Sequence, residues 1–485
     1  MIGPLALALT LALAPGPIAE PRPGAIAVTI DTRITADHTP LGLGELLDAV
    51  DRNHPLLTAA RATIDASAAE ILAARGWFDT ALRARGTLTP LGYYVGGRID
   101  VAAEQRTPLW GTRLLAGYRL GRGAFPDYYG EQRTLAAGEI RAGVEVPLWR
   151  GGPIDPGRAA LQRARLDREI ADAGLTRERL RLHREATHAY WEWVAAGAAY
   201  RIAEGQLALA RERAAQLLLR VERGDLPAVD ALDNQRAVLQ RDAALIAARR
   251  KLEGAALQLS LYLRDDAGDP LVIDPERLPG ALPVPGADGT PDSTSQIEAA
   301  IQRRPELREL ARQRGQAEVD LRLARNQRAP AIDAGVMVLR DFGRGPAELA
   351  PTELQATVFV DVPIQARAAR GKARAAEAKI AAVDARAAFA RDRIVVEVRD
   401  AISALLAAHE RIDTAREALE VAERLADAER RSFERGASSL LFVNLREQQV
   451  AEAALLRVSA LLEYHRAHAD LLAATAAATR DPPIK

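Results

Sequence analysis

The sequence has no cysteine, only two methionines and an aromatic content of 4%. Without cysteine there is no disulfide, no thiolate metal site, no cysteine nucleophile and no lipid-modified N-terminal cysteine, and such a chain is compatible with any redox compartment. Two methionines leave no methionine-rich copper path. Charge of one sign is missing too: 65 Lys and Arg balance 65 Asp and Glu. The summed field therefore offers nothing to a phosphate backbone, and nucleic acid is not expected as a partner. Past the N-terminus, no run approaches the roughly 20 apolar residues of a spanning helix. If this chain crosses a membrane, it must do so with strands. What is present is 485 residues, 48% hydrophobic and 27% charged, enough for a large buried surface and too apolar for disorder.

The N-terminus, MIGPLALALTLALAPGPIAEPRPGAIA, has an apolar core from Leu5 to Ala14. That core is too short to span a bilayer but suits a secretory h-region, with Ala25-Ile26-Ala27 as a cleavage context, although no Lys or Arg precedes it. Export is expected, with 1–27 as signal peptide and 28–40 as a linker.

The interior repeats itself. Leu43 to Arg75 parallels Thr294 to Arg325: each starts a helix, reaches a polar-Pro pair (His54-Pro55, Arg304-Pro305) and resumes a helical pattern. AGVEVPLWRGG from Ala142 parallels VFVDVPIQARAARG from Val358, and a long helical stretch follows each. The Pro-, Gly- and Asp-rich stretch from Arg264 to Ser293 divides the halves. The expected organisation is repeat 1 over 41–265, a linker over 266–293, repeat 2 over 294–478 and a tail over 479–485.

Between the prolines of each half the period is two, not 3.6. Ile140, Ala142, Val144 and Val146 alternate with Glu139, Arg141, Gly143 and Glu145, and Leu114, Ala116, Tyr118 and Leu120 with Arg113 and Arg119. In the second half Ala331 to Gly343 pairs with Leu354 to Pro363, where Phe359 alone breaks the alternation. A soluble sheet with one wet face and a membrane barrel with a polar lumen both fit such strands. Export, the lack of cysteine and the insertion of the hairpins into helical repeats favour the barrel. Arg113, Arg119, Glu139, Arg141 and Glu145 are then expected to face its lumen. Four strands cannot close alone around a useful pore, so oligomerisation is required.

In the helices, Val398, Leu405, Ile412, Leu419, Ala426 and Phe433 recur every seven residues, with Ala401, Ala408, Ala415 and Ala422 three positions on. This large-small seam predicts a left-handed supercoil of closely packed helices. It stops at Gly436 in FERGASSLLFVNL, as the first half stops at Gly224 in VERGDLPAVDAL, so each repeat ends in a long antiparallel helical hairpin with a glycine at its tip. On heptads alone, a structural coiled coil explains as much.

Enzyme chemistry finds no support. His183 and His188, and His465 and His468, lack the HExxH pattern, and Gly42-Leu-Gly44 and Gly121-Arg-Gly123 lack the lysine and helix start of a phosphate loop. Tyr190, Trp191, Trp193 and Tyr200 read as packing between helices. No catalytic, cofactor or metal residue is assigned.

The order helix, polar-Pro, strand hairpin, Val-Pro, long helix, glycine tip, long helix, given twice over nearly the whole mature chain, resembles the TolC-type outer-membrane efflux proteins. The resemblance implies a mainly α fold with membrane β: four strands per subunit in one barrel shared by a homotrimer in outer-membrane lipid, and helical hairpins forming a periplasmic tunnel. The segment from Trp77 to Pro147 departs from its shorter counterpart in the second half, which points to extended strands or an extra excursion there. It implies a trimeric exit duct for a tripartite efflux or type I secretion system, working with a periplasmic adaptor (membrane fusion) protein and an inner-membrane pump. The tips would dock the adaptor through Arg223, Gly224, Leu226, Arg435, Gly436 and Leu440. The family tends to place acidic residues six positions after the tip glycine and again one turn later. Asp230 and Asp233 match, whereas Phe442 and Leu445 stand there in repeat 2, so an apolar closure by Leu441, Phe442 and Leu445 is expected in place of a full acidic ring. A periplasmic adaptor and a soluble coiled-coil scaffold are the competing readings; an adaptor would show one hairpin, not two.

Overall fold

The computed structural model describes residues 39–125, 133–224, 227–286 and 292–477. The signal-like N-terminus, Leu226 and the C-terminal tail lie outside them. Each repeat begins with two short helices broken at a proline: α1 (Leu43–Asn53) and α2 (Pro55–Arg75), then α5 (Ser293–Arg303) and α6 (Pro305–Asn326). Pro55 and Pro305 each occupy a first helical position, where a missing N–H costs nothing. The prolines that mark the repeat are therefore helix starts.

Long helices follow the strands. Helix α3 (Pro156–Glu222) pairs with α4 (Ala228–Leu259), and α7 (Arg367–Glu434) with α8 (Leu440–Ala474). At 67 and 68 residues, α3 and α7 run unbroken for about 100 Å at 1.5 Å per residue. Asp155 caps α3 by accepting from the Arg158 N–H at 2.9 Å, with Pro156 at the first turn. The seam of α7 is buried from Val398 through Leu405 and Ile412 and at Ala401, Ala408 and Ala415, and becomes half-buried at Leu419, Ala422 and Phe433 toward the tip.

Midway along the hairpins lies the main core, where Leu46 and Val50 of α1, Leu182, Tyr190, Trp193 and Val194 of α3, Leu259 of α4 and Leu461 of α8 meet Ile273 and Leu282 of the linker. Each such side chain contributes roughly 1.5–3 kcal/mol by leaving water. The Tyr190 hydroxyl donates to the Leu41 carbonyl at 2.8 Å, and Arg277, buried in the linker, donates to the Thr39 carbonyl at 2.8 Å and to Glu45. Tyr200 lies outside this core, half-buried, with its hydroxyl toward Glu204.

The sheet departs from expectation. Among the described residues it has six strands, not four: β1 (Ala81–Thr89), β2 (Gly96–Arg106), β3 (Arg113–Gly123), β4 (Glu139–Pro147), β5 (Ala331–Asp341) and β6 (Glu353–Asp361), in that order and antiparallel throughout. Strands β3 to β6 are those read from the alternation; β1 and β2 form an additional hairpin in repeat 1. The ladder from β4 to β5 joins the repeats, with Val144 opposite Val336.

Candidate functional site

Directly paired residues share a face, so the register fixes what each side of the sheet presents. Leu82, Ile99, Leu114, Tyr118, Ile140, Val144, Val336, Val338, Leu354, Val358 and Val360 lie on one face, and all are exposed. An apolar face uncovered across six strands is far more than a soluble sheet leaves to water. Strands of 9 to 11 residues are the length a tilted strand needs to cross a bilayer. No described helix is long and apolar enough to do so.

The other face is ionic. Arg113 is opposite Glu145 and Arg119 opposite Glu139, with Arg141 opposite Gly117. Arg113 and Glu145 form an ion pair, and Arg119 reaches Glu139 at 3.7 Å. Asp100 of β2 gathers Arg98 at 2.7 Å, Arg119 at 3.4 Å and Arg141. A Cβ on Gly117 would stand 2.9 Å from Arg141 Nε, so a glycine here clears the place of that guanidinium. Asp100 was not anticipated from sequence. The five residues read as lumenal do share this face, together with Phe359.

Aromatic side chains mark both ends of the strands. Three of the five tryptophans, Trp77, Trp110 and Trp149, are exposed at the end nearest the helices, and Trp77 stacks on the Arg106 guanidinium at 4.4 Å. Tyr93, Tyr94 and Phe342 are exposed at the far end. Two girdles flanking an apolar band are the pattern of barrels in lipid.

At the tips, Gly224 and Gly436 have φ of +79° and +77°, a left-handed conformation that strains any residue with a Cβ. The Gly436 N–H donates to the Phe433 carbonyl at 2.9 Å and the Ala437 N–H to the Ser432 carbonyl at 2.9 Å, which ends α7 in a Schellman turn. Ser438 then donates to Glu429. Replacing Gly436 by valine is expected to cost about 1–2 kcal/mol through backbone strain alone, because nothing lies within 4 Å of its Cβ position. Gly436→Ala should then lower the thermal midpoint, and Gly436→Val should lower it further, because a β-branched side chain tolerates the left-handed region least; an unchanged midpoint in both would refute the strain.

Of the tip side chains, Arg223 and Arg435 are exposed, while Leu440 is buried, at 3% exposure. Leu441, Phe442 and Leu445 are exposed, Phe442 by 52%, while Val443 on the opposite side of α8 is buried. Asp230 and Asp233 are half-buried near the start of α4, and Asp233 lies 3.7 Å from Arg236.

Above the tips is a cluster that the sequence did not reveal. Glu447 of α8 is 2% exposed. Arg213 of α3 donates to it at 2.9 Å and to Asn444 at 2.9 Å; Arg241 of α4 donates to it at 3.0 Å, and Arg430 of α7 lies 3.8 Å away. All four long helices meet at this carboxylate. Burial alone would raise its pKa, but Arg213 and Arg241 outweigh burial and hold it below the usual range.

The histidines prove partly engaged with carboxylates distant in sequence: His183 lies 2.9 Å from Asp51 and His188 3.0 Å from Asp470. Among the described residues no three ligating side chains converge. His465 stacks on Trp191 at 4.0 Å, faces the Pro283 carbonyl at 2.9 Å, and burial pushes its pKa down to about 4. A histidine harder to protonate when folded binds its proton first in the unfolded chain. Stability is therefore full above about 6.5 and falls as pH drops from there toward about 4. A His465→Gln protein should show a shallower decline in thermal midpoint over that window.

Comparison with known proteins follows the same lines. Residues 296–477 match the family model described as outer membrane efflux protein. Among solved structures, the open state of the MtrE outer membrane channel of Neisseria gonorrhoeae aligns with TM-score 0.64 and 16% identity, over 93% of this chain and 94% of that one. The CmeC outer membrane channel of Campylobacter jejuni aligns with TM-score 0.63 and 11% identity, over 89% and 85%. VceC, an outer membrane protein of Vibrio cholerae, aligns with TM-score 0.60 and 14% identity, over 90% and 96%. A search of curated proteins returns no match. The TolC-type resemblance carried by the duplicated order of elements is thus met: repeat 2 matches the family model described as outer membrane efflux protein, and the chain as a whole has the fold of these outer membrane channels.

Proposed function

We propose that this chain is the subunit of a trimeric duct that lets cargo leave passively across the outer membrane, as the exit of a tripartite efflux or type I secretion system. One observation carries the reading: a sheet with an exposed apolar face, ringed by aromatics, stands on two helical hairpins whose first helices, α3 and α7, each run about 100 Å. The apolar face meets outer-membrane lipid, and the face bearing Arg113, Arg119, Glu139, Arg141 and Glu145 lines a wet lumen. The hairpins form a periplasmic tunnel, and the tips, through Arg223 and Arg435, dock the periplasmic adaptor of an inner-membrane pump. Two complete hairpins speak against the adaptor reading, and the uncovered sheet face against a soluble scaffold. Trimer bands that shift on heating, recovered from an outer-membrane fraction, test the reading; a monomer in the soluble fraction would refute it.

At the tunnel mouth, Leu441, Phe442 and Leu445 from three subunits form an apolar constriction that resists wetting, beside the half-buried Asp230 and Asp233. Phe442→Asp should raise resting conductance or cation preference in planar bilayers, and Asp230→Asn should alter selectivity less than loss of a full acidic ring would. Unchanged current through the Phe442→Asp channel would remove Phe442 from the gate.

A further inference from the structure

Among the described residues the sheet has two open edges: strand β1 pairs with β2 alone and β6 with β5 alone. In a bilayer an unpaired edge is untenable, because lipid offers nothing to its N–H and C=O groups. With six antiparallel strands, β1 and β6 run in opposite directions, so β6 of one copy can continue the antiparallel order into β1 of the next. The faces agree as well. On β1 the apolar Leu82, Ala84 and Leu88 alternate with Arg83, Arg85, Thr87 and Thr89, and on β6 Leu354, Ala356, Val358 and Val360 alternate with Glu353, Gln355, Thr357 and Asp361. The ionic-face charges of β1 are both positive and those of β6 both negative. Two copies of either edge would repel, whereas one of each attract.

We infer that the occupant of each edge is the opposite edge of a second copy of this chain, and that three copies close a barrel of eighteen strands. This rests on the trimer proposed above. Two hairpins per subunit would give twelve strands. Because diameter grows roughly linearly with strand number at a given tilt, the pore is about half again as wide. The hairpin formed by β1 and β2 is then a wall of the pore and not a loop beside it. Its Asp100, with Arg98, Arg119 and Arg141, is part of the lumen lining.

The absence of cysteine makes the test direct. Thr357→Cys is combined in turn with Arg83→Cys, Arg85→Cys and Thr87→Cys, all on the ionic face, and oxidised in outer-membrane preparations. One pairing should convert the trimer into a covalent ladder on a non-reducing gel. Val358→Cys with Ala84→Cys or Gly86→Cys gives a second series on the apolar face, for use where the first disturbs assembly. Trimers that form but are bridged only between Thr357→Cys and Leu115→Cys or Arg119→Cys of β3 would overturn the eighteen-strand barrel and leave the duct intact. So would trimers bridged by neither series. Failure of the cysteine-free parent to form trimers would instead refute the duct itself.

Discussion

Replacing Glu447 by alanine should destabilise the subunit by about 3–5 kcal/mol, the cost of stranding buried charge. The side chains of Arg213 and Arg241 are each 12% exposed, and without Glu447 their guanidinium groups keep only Asn444 and the Gln206 carbonyl. A thermal midpoint lowered by several degrees, with faster proteolysis near the tips, is the expected result. Arg430→Ala should do little, since that side chain is 43% exposed and sits 3.8 Å away. Replacing Arg213, Arg241 and Glu447 together by apolar residues of like volume should recover most of the loss. A Glu447→Ala protein that melts with the parent would mean that the hairpins are joined by their seams alone.

The second large effect is expected in the sheet. Val144 sits mid-strand on the exposed apolar face, opposite Leu114 and Val336. In the proposed barrel an arginine there would stand among lipid tails and should cost about 2–4 kcal/mol in each copy. Val144→Arg should therefore deplete heat-modifiable trimers from the outer membrane. Leu115→Arg, on the ionic face of the interior strand β3 and opposite Glu104, keeps its charge in water and should assemble normally. Assembly of Val144→Arg together with loss of Leu115→Arg would reverse the assignment of lipid and lumen.

Where the chain's periodicity is clean, the structure follows it. Val398, Leu405 and Ile412 needed only their spacing to be recognised as a buried seam. Strands β3 to β6 carry large apolar residues at every second position, and those were legible. Strand β2 is blurred by Gly96-Gly97 and Ala102-Ala103, where small residues occupy both faces and erase the contrast on which the period depends. The signal for its hairpin lay in β1, where Arg83 and Arg85 are interleaved with Leu82, Ala84 and Gly86. Glu447 was invisible for another reason. A glutamate in a helix reads as a solvated side chain, and its burial depends on arginines 206 and 234 positions away. The partners of His183 and His188 are likewise set by topology, not spacing.

The ladder between β4 and β5 carries a cost in time. Strand β4 ends at Pro147 and β5 begins at Ala331, so the two parts of the sheet cannot join until a whole helical hairpin and the linker between the repeats have been made. Contacts so far apart in the chain close slowly, and unpaired strands with an apolar face are the species that aggregate while they wait. The helical part, whose contacts within each hairpin need no partner strand, can order first and hold β4 and β5 at short range. The nascent subunit would thus travel with a finished stalk and an unfinished head, and only the meeting of copies in lipid would complete it.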